Sequence, residues 1–197
     1  MTANLFDDLH ADSSTLARLH RKLERDADEA ELLDVAYRTV DSPVGTLMLA
    51  ATPVGLIRVA YAVEDHDTVL ATLARSVSPR VLRAPARLDA VARQLDEYFT
   101  KRRTAFEVPV DLRLAAGFRR TVIEHLRLIG YGHRESYAAV AAAVGNPRAV
   151  RAVGTACAHN PLPVVIPCHR VVRSDGSTGQ YVGGPAAKST LLTLERE

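Results

Sequence analysis

Cys168 and His169 stand side by side after a proline, in the run Val164-Val165-Ile166-Pro167-Cys168-His169-Arg170-Val171-Val172. A free thiol has a pKa near 8.5, so only about 3% of it is the nucleophilic thiolate at pH 7. A histidine nearby can take the thiol proton, and a carboxylate can orient the imidazole. Val164–Ile166 reads as a buried strand whose ladder ends at Pro167, which has no N–H. Neighbouring side chains on a strand point to opposite faces, so Cys168 and His169 can cooperate only through a bend or a bridging water. Glu195, in a C-terminal helix expected over Pro185–Glu197, is the carboxylate within reach of such a scheme. A bare Cys-His pair is equally what a buried structural cysteine beside an unrelated histidine would give. The chain holds two cysteines, Cys157 and Cys168. That number excludes a disulfide framework and a four-cysteine zinc site, and it fits a reducing cytoplasm. The spacings of the histidines make no metal site.

Charge supplies a second signal. The net charge of +2 over 197 residues conceals an uneven distribution. Residues 1–35 hold nine acidic and four basic side chains, whereas residues 118–173 hold eight basic and two acidic ones. All eight of those bases are arginines, which suit phosphate and planar recognition. The block points to a polyanion such as nucleic acid, or else to a solvated basic surface. The N-terminus has neither the basic flank nor the apolar run of a signal peptide, and no apolar stretch is long enough to span a membrane.

The elements that must position these residues fall into two halves. Residues 13–34 read as a polar helix with little apolar periodicity, within an acidic extension over residues 1–34. Residues 35–112 read as a small α+β domain: an antiparallel meander over Ala36–Val40, Thr46–Ala51 and Leu56–Ala62, with turns at Ser42–Gly45 and Thr52–Gly55. A helix is expected over His66–Val77 and a short strand over Arg80–Arg83. Another helix should open at Pro85 and run to about Lys101, with Leu88, Val91, Ala92, Leu95 and Phe99 on one side. Residues 113–197 read as a mostly helical, winged-helix-like domain. Phe118–Ile129 is amphipathic, and Ser136 caps a short helix over Tyr137–Val144 that Gly145 closes. Asn146-Pro147 should open a third helix to about Ala158. The last two form a helix-turn-helix candidate whose second helix would face DNA. That helix carries Arg148 and Arg151 together with small residues at Ala149, Ala152, Gly154 and Ala156. Such a bare face suits the minor groove, or close packing on a neighbouring helix.

The ordered set Ser136-Tyr137, Asn146-Pro147, Arg151-Ala152-Val153-Gly154, Asn160-Pro161, Ile166-Pro167-Cys168-His169-Arg170-Val171, Gly179, Tyr181, Gly183-Gly184, Lys188, Leu191-Leu192 and Glu195 closely resembles the O6-alkylguanine-DNA alkyltransferases. The resemblance spans roughly residues 36–196 and is dense from Ser136 onward. It implies direct, irreversible, single-turnover transfer of an alkyl group from O6-alkylguanine, with O4-alkylthymine as a second lesion, to the protein's own cysteine. It implies minor-groove binding of double-stranded DNA, extrusion of the base, no cofactor and no metal, and a monomer. Position by position, it makes Cys168 the acceptor, His169 a base acting through water, and Glu195 the group that orients it. Asn160 braces the site, and Tyr137 donates a proton toward the leaving guanine. Arg151 fills the vacated stack, with Arg148, Ala149, Ala152, Gly154 and Ser136 along the DNA. Tyr181, Gly183, Pro163, Val171 and Cys157 line the pocket.

The chain departs from the family pattern at several places. Residues 1–34 have no counterpart in minimal relatives. Gly130, Ile123, Ala138 and Val150 stand where relatives usually carry proline, tryptophan, glycine or glutamine, and alanine, respectively. A lesion-binding module without transfer would lack Cys168, and a plain helix-turn-helix regulator would need neither Cys168-His169 nor Glu195.

Overall fold

The computed structural model describes residues 12–196. Asp12 caps the first helix, α1 (Ser13–Glu29), accepting from the Ser14 N–H. The helix buries no side chain. Its leucines nevertheless recur with helical spacing, and Leu16, Leu19 and Leu23 form a half-exposed apolar stripe that the sequence reading did not recognise. A hydrogen-bond-length contact from His20 Nε2 to the Arg83 carbonyl (2.6 Å) and an Asp28–Arg87 ion pair tie it to the following domain. The first eleven residues of the expected acidic extension, and Glu197, lie outside the described residues.

A four-stranded sheet follows, built from β1 (Val35–Val40), β2 (Leu47–Thr52), β3 (Gly55–Tyr61) and β4 (Val81–Arg83), in the order β3-β2-β1-β4. The first three strands form the expected antiparallel meander. The fourth lies parallel to β1, because helix α2 (His66–Ser76) carries the chain back across the sheet before it enters β4. Alternation along the strands separates two apolar faces. Val35, Met48, Ala50, Ile57 and Ala60 pack with Val69 and Leu73 of α2. Leu47, Leu49, Leu56, Val59 and Tyr61 face the other way, toward α3 (Asp89–Phe99). The segment Pro85–Leu88 is a 3-10 turn rather than the first turn of that helix, and the helix stops at Phe99, short of Lys101. Its deepest residue is Tyr98, which is fully buried, while Phe99, expected on the core face, is only partly buried.

The apolar cluster against α3 continues without a break into the second half. There α4 (Gly117–Leu126), α5 (Tyr137–Ala143) and α6 (Val150–Ala158) pack on one another. Ser136 caps α5 as read from the sequence, its hydroxyl accepting from Ala139 N at 3.0 Å. A short parallel pair, β5 (Glu135–Ser136) with β6 (Val171–Val172), closes this half, and α7 (Gly184–Leu194) ends it. Among the described residues, no helix is long and apolar enough to cross a membrane.

Three expectations about the second half are corrected. First, α6 does not begin at Asn146-Pro147. Those residues form a turn closed by Ala149 N on the Asn146 carbonyl (2.9 Å), and the helix starts at Val150. Proline suits the second position of such a turn as well as the first position of a helix, so the signal was ambiguous. Arg148 is therefore on the turn, and Arg151 alone of the pair is on the helix. Second, Ala156 is buried against the core instead of sharing an open face with Ala152. Third, Val164–Ile166 is not a strand. The segment is a compact turn in which Ile166 N donates to the Leu162 carbonyl (2.8 Å) and Val164 adopts φ +72°. Burial and β-branching mimic a strand in the sequence, but among the described residues Val164–Ile166 pairs with no strand and turns back on Leu162 instead.

Gly55 shows how tightly the halves of the first domain meet. A Cβ there would stand 2.4 Å from the Pro109 carbonyl oxygen, at φ +152°. Gly55→Ala should therefore destabilise the fold by about 3 kcal/mol, read as a lower urea midpoint. A midpoint equal to that of the unaltered protein would show that the Pro109 segment moves freely.

Candidate active site

Cys168 lies on a 3-10 turn, Cys168–Arg170, and is 2% exposed. Its presentation begins at Pro167, whose φ of −84° and ψ of 61° form an inverse γ-turn closed by Cys168 N on the Ile166 carbonyl (2.9 Å). Asn160, just past α6, braces the turn from inside. Its amide nitrogen donates to the Ile166 carbonyl (2.8 Å) and to Cys168 Sγ (3.1 Å), and its amide oxygen accepts from Leu162 N (3.0 Å). Strand β3 holds the same segment from the sheet side: Val59 N and Arg58 Nη1 both donate to the Pro161 carbonyl, at 2.9 and 3.1 Å. Val164, a β-branched residue in the left-handed region, carries strain of roughly 1–3 kcal/mol that these contacts must hold.

His169 is fully buried. Its Nε2 lies 2.9 Å from Glu195 Oε1. Glu195 caps the end of α7 and does not sit inside a helix reaching residue 197. Burial would raise the Glu195 pKa, but donors from His169, Arg170 and Tyr98 hold the carboxyl well below the usual carboxylate range. An ionised carboxylate only accepts, so Nε2 carries the imidazole proton and Nδ1 keeps its lone pair. Burial pushes the His169 pKa down, and Arg170 and Lys188 add to that against the pull of Glu195. His169 Nδ1 is buried and has no hydrogen-bond partner among the described residues. His169 is thus a neutral imidazole with one unpaired basic nitrogen, next in the chain to Cys168.

The thiol is protonated at rest. Burial pushes the Cys168 pKa up to about 11, opposed by the Asn160 donor and the Lys188 ammonium. Lys188 belongs to the family pattern in the sequence but was assigned no site role from it. It is fully buried, donates to the Val171 carbonyl (2.6 Å), and stands 5.9 Å from the centroid of the Tyr137 ring. Burial lowers its own pKa while Cys168 and Cys157 raise it. Tyr137 is the first residue of α5, half-buried, and burial pushes its pKa up to about 12, so its hydroxyl keeps its proton. Gly179 admits the ring, since a Cβ there would meet Tyr137 Oη at 2.3 Å.

The remaining expected pocket residues cluster nearby. Tyr181 is buried, 6.3 Å from His169 between ring centroids, and its hydroxyl lies 3.1 Å from that of Tyr61 on β3. A Cβ at Gly183 would stand 2.6 Å from the Tyr61 ring. Pro163, Val171 and Cys157 are buried around the turn. Arg148, Arg151 and Ala152 are exposed, with Ala149 and Gly154 partly so. Neither arginine makes an ion pair among the described residues. Arg170, part of the sequence motif but given no role there, joins the site: Nε and Nη2 donate to Glu195 at 2.8–3.2 Å and Nη1 to the Ile129 carbonyl. Arg170, Tyr98 and Tyr61 carried no spacing signal, because their partners are 25, 97 and 120 residues away.

Comparison with known proteins places this geometry. Residues 35–112 match the ribonuclease-like domain of 6-O-methylguanine DNA methyltransferase, and residues 117–197 match its DNA-binding domain. The chain belongs to this family. It is 38% identical over 162 residues to the methylated-DNA–protein-cysteine methyltransferase of Mycolicibacterium paratuberculosis, covering 82% of this chain and 93% of that one. It is 36% identical over 165 residues to the constitutive methylated-DNA–protein-cysteine methyltransferase of Bacillus subtilis, covering 81% and 94%. Among solved structures, it resembles the Mycobacterium tuberculosis O6-methylguanine methyltransferase with a TM-score of 0.69 at 36% identity, covering 82% and 92%. It likewise resembles Mycobacterium tuberculosis OGT in complex with DNA, with a TM-score of 0.71 at 36% identity, covering 81% and 92%.

His169 links the site to stability. Its folded pKa lies below the ordinary 6.5, so the unfolded chain takes up the proton first as pH falls. Stability should therefore drop as pH falls through about 6.5 and recover as it rises. Between pH 7.5 and 5.5, the unaltered protein should lose up to about 1.4 kcal/mol per pH unit more than His169→Gln in urea unfolding. Equal slopes would mean that another group titrates.

Proposed function

We propose that the chain repairs DNA by moving an alkyl group from O6 of guanine to Cys168, one group per chain. The observation that carries the reading is the Asn160–Cys168 contact beside the buried His169–Glu195 pair, with His169 Nδ1 left unpartnered. In the reaction the Cys168 sulfur attacks the alkyl carbon. The C–O bond breaks with its electron pair going to the base, and a C–S bond forms. The thiol proton passes to His169 Nδ1 through an intervening water, and Tyr137 gives its hydroxyl proton to the guanine as it leaves. The Asn160 N–H and the Lys188 ammonium favour the thiolate as it develops. A thioether has no easy reverse step, and no cofactor enters.

Cys168 is 2% exposed, so a base inside a duplex cannot reach it. The lesion must leave the stack, at a cost of a few kcal/mol. Arg151, exposed on the first turn of α6, is placed to fill the gap, with Arg148 on the preceding turn near the backbone phosphates. The small side chain of Ala152 lets the helix approach a minor groove. Val150, 36% exposed at the helix start, adds bulk to that face. The DNA partner is shared in kind with the tuberculosis OGT structure, which is in complex with DNA.

Incubation with duplex DNA carrying O6-methylguanine should add one methyl group to the Cys168 peptide, read by mass spectrometry. Cys168→Ser should take none and still bind DNA. More than one lesion cleared per chain, or a methyl on another residue, would overturn the assignment. Arg151→Ala should slow transfer from duplex by about tenfold, since losing the filler raises the extrusion cost by about 1.4 kcal/mol. Transfer from the same lesion in a single strand should change far less.

A further inference from the structure

Glu195 is held by both halves of the molecule. Tyr98, on α3 of the sheet domain and fully buried, donates its hydroxyl to Glu195 Oε1 at 2.7 Å. That is the same oxygen that receives His169 Nε2 at 2.9 Å and Arg170 Nη2 at 2.8 Å. The other oxygen receives Arg170 Nε at 2.9 Å and Gly132 N at 3.4 Å. A carboxylate oxygen has two lone pairs, so these three donors, with Arg170 Nε also at 3.2 Å, compete for Oε1. Whatever Tyr98 takes is withheld from the imidazole.

We propose that Tyr98 is a positioning residue for the transfer reaction, its hydroxyl fixing the Glu195 carboxylate and limiting the charge that Glu195 presents to His169. The proposal rests on the reading of His169 as the base for Cys168. The pair is faced by Cys168 and Arg170 from its own turn, Tyr131 from the loop before β5, Tyr181 from the segment before α7, Lys188 from α7 and Tyr98 from α3. Only Tyr98 among these is a neutral donor to the oxygen that His169 uses. Tyr131 donates instead to the Leu194 carbonyl (3.0 Å). Removing the Tyr98 hydroxyl leaves Oε1 with more free charge, which favours imidazolium. The base is then neutralised by its own proton at a higher pH. The sheet domain thus sets the protonation state of a residue it does not contain.

Tyr98→Phe keeps the ring in the core and removes only the hydroxyl; Tyr131→Phe is the control that loses a hydroxyl on the same side. Imidazole nitrogen NMR of the free protein should show the His169 titration moved up by about half to one unit in Tyr98→Phe, and unmoved in Tyr131→Phe. The acid limb of the single-turnover transfer rate should move up by the same half to one unit in Tyr98→Phe and stay in place in Tyr131→Phe, with rates equal to that of the unaltered protein above pH 8. An unmoved His169 titration, or a transfer rate lowered by the same factor at every pH, would overturn the proposal. If the unaltered protein transferred no alkyl group while the titration moved as expected, the proposed function would fail and the Tyr98–Glu195–His169 coupling would stand.

Discussion

A carboxylate taken out of water must have its charge met on every side, or burial costs several kcal/mol. Glu195 is 3% exposed, and its partners come from three separate places in the chain. Arg170 brings the opposing charge, His169 a ring N–H, Gly132 a backbone N–H and Tyr98 a hydroxyl. Removing the Arg170 guanidinium would leave that charge without a counter-ion in an interior that cannot solvate it. The relative placement of α3, α7, the loop at Gly132 and the cysteine turn is therefore fixed by one side chain. The continuous apolar cluster that crosses from sheet to helices supplies the attraction, and Glu195 supplies the register.

The cysteine turn depends on that register in turn. Val164 sits in a conformation that β-branched residues avoid, and Pro167 fixes a γ-turn directly ahead of the thiol. Neither would persist in a free loop. Asn160 satisfies the carbonyl at Ile166 and the amide at Leu162 from within, and β3 satisfies the carbonyl at Pro161 from outside. The result holds Sγ against one donor and near one cation, with the thiol still protonated. A buried thiol and a buried imidazole that are both neutral avoid an unpaired charge at rest.

Much of this was legible in the residues. Runs of strand-forming residues bounded by the turns at Ser42–Gly45 and Thr52–Gly55 gave β1, β2 and β3 and their connections. Ser136 announced the cap of α5. The Pro-Cys-His-Arg-Val run, with Asn160 before it and Glu195 after it, named the centre of the site. The failures share a cause. Val164–Ile166 was taken for a strand and Asn146-Pro147 for a helix start because buried β-branched residues and proline each fit two backbones. The choice between them was made by Asn160 in the first case and by the Asn146–Ala149 turn in the second. Tyr98 was passed over in favour of Phe99, since a helical stripe accepts either residue until the packing partner is known.

The sequence by itself determined which thiol is available, which histidine adjoins it and which segment carries an excess of arginine. These follow from residue type and local spacing, and local physics is contained in a short stretch of chain; Glu195, 26 residues on, came from the family resemblance. Tertiary structure alone decided which hydrogen bonds tune that chemistry. Tyr61 with Tyr181, Tyr98 with Glu195, and Lys188 near Cys168 join residues whose separation along the chain leaves no periodic trace. Their energies exist only once folding has removed water from between them, because it is desolvation that turns a hydroxyl or an ammonium into a determinant of a neighbour's protonation.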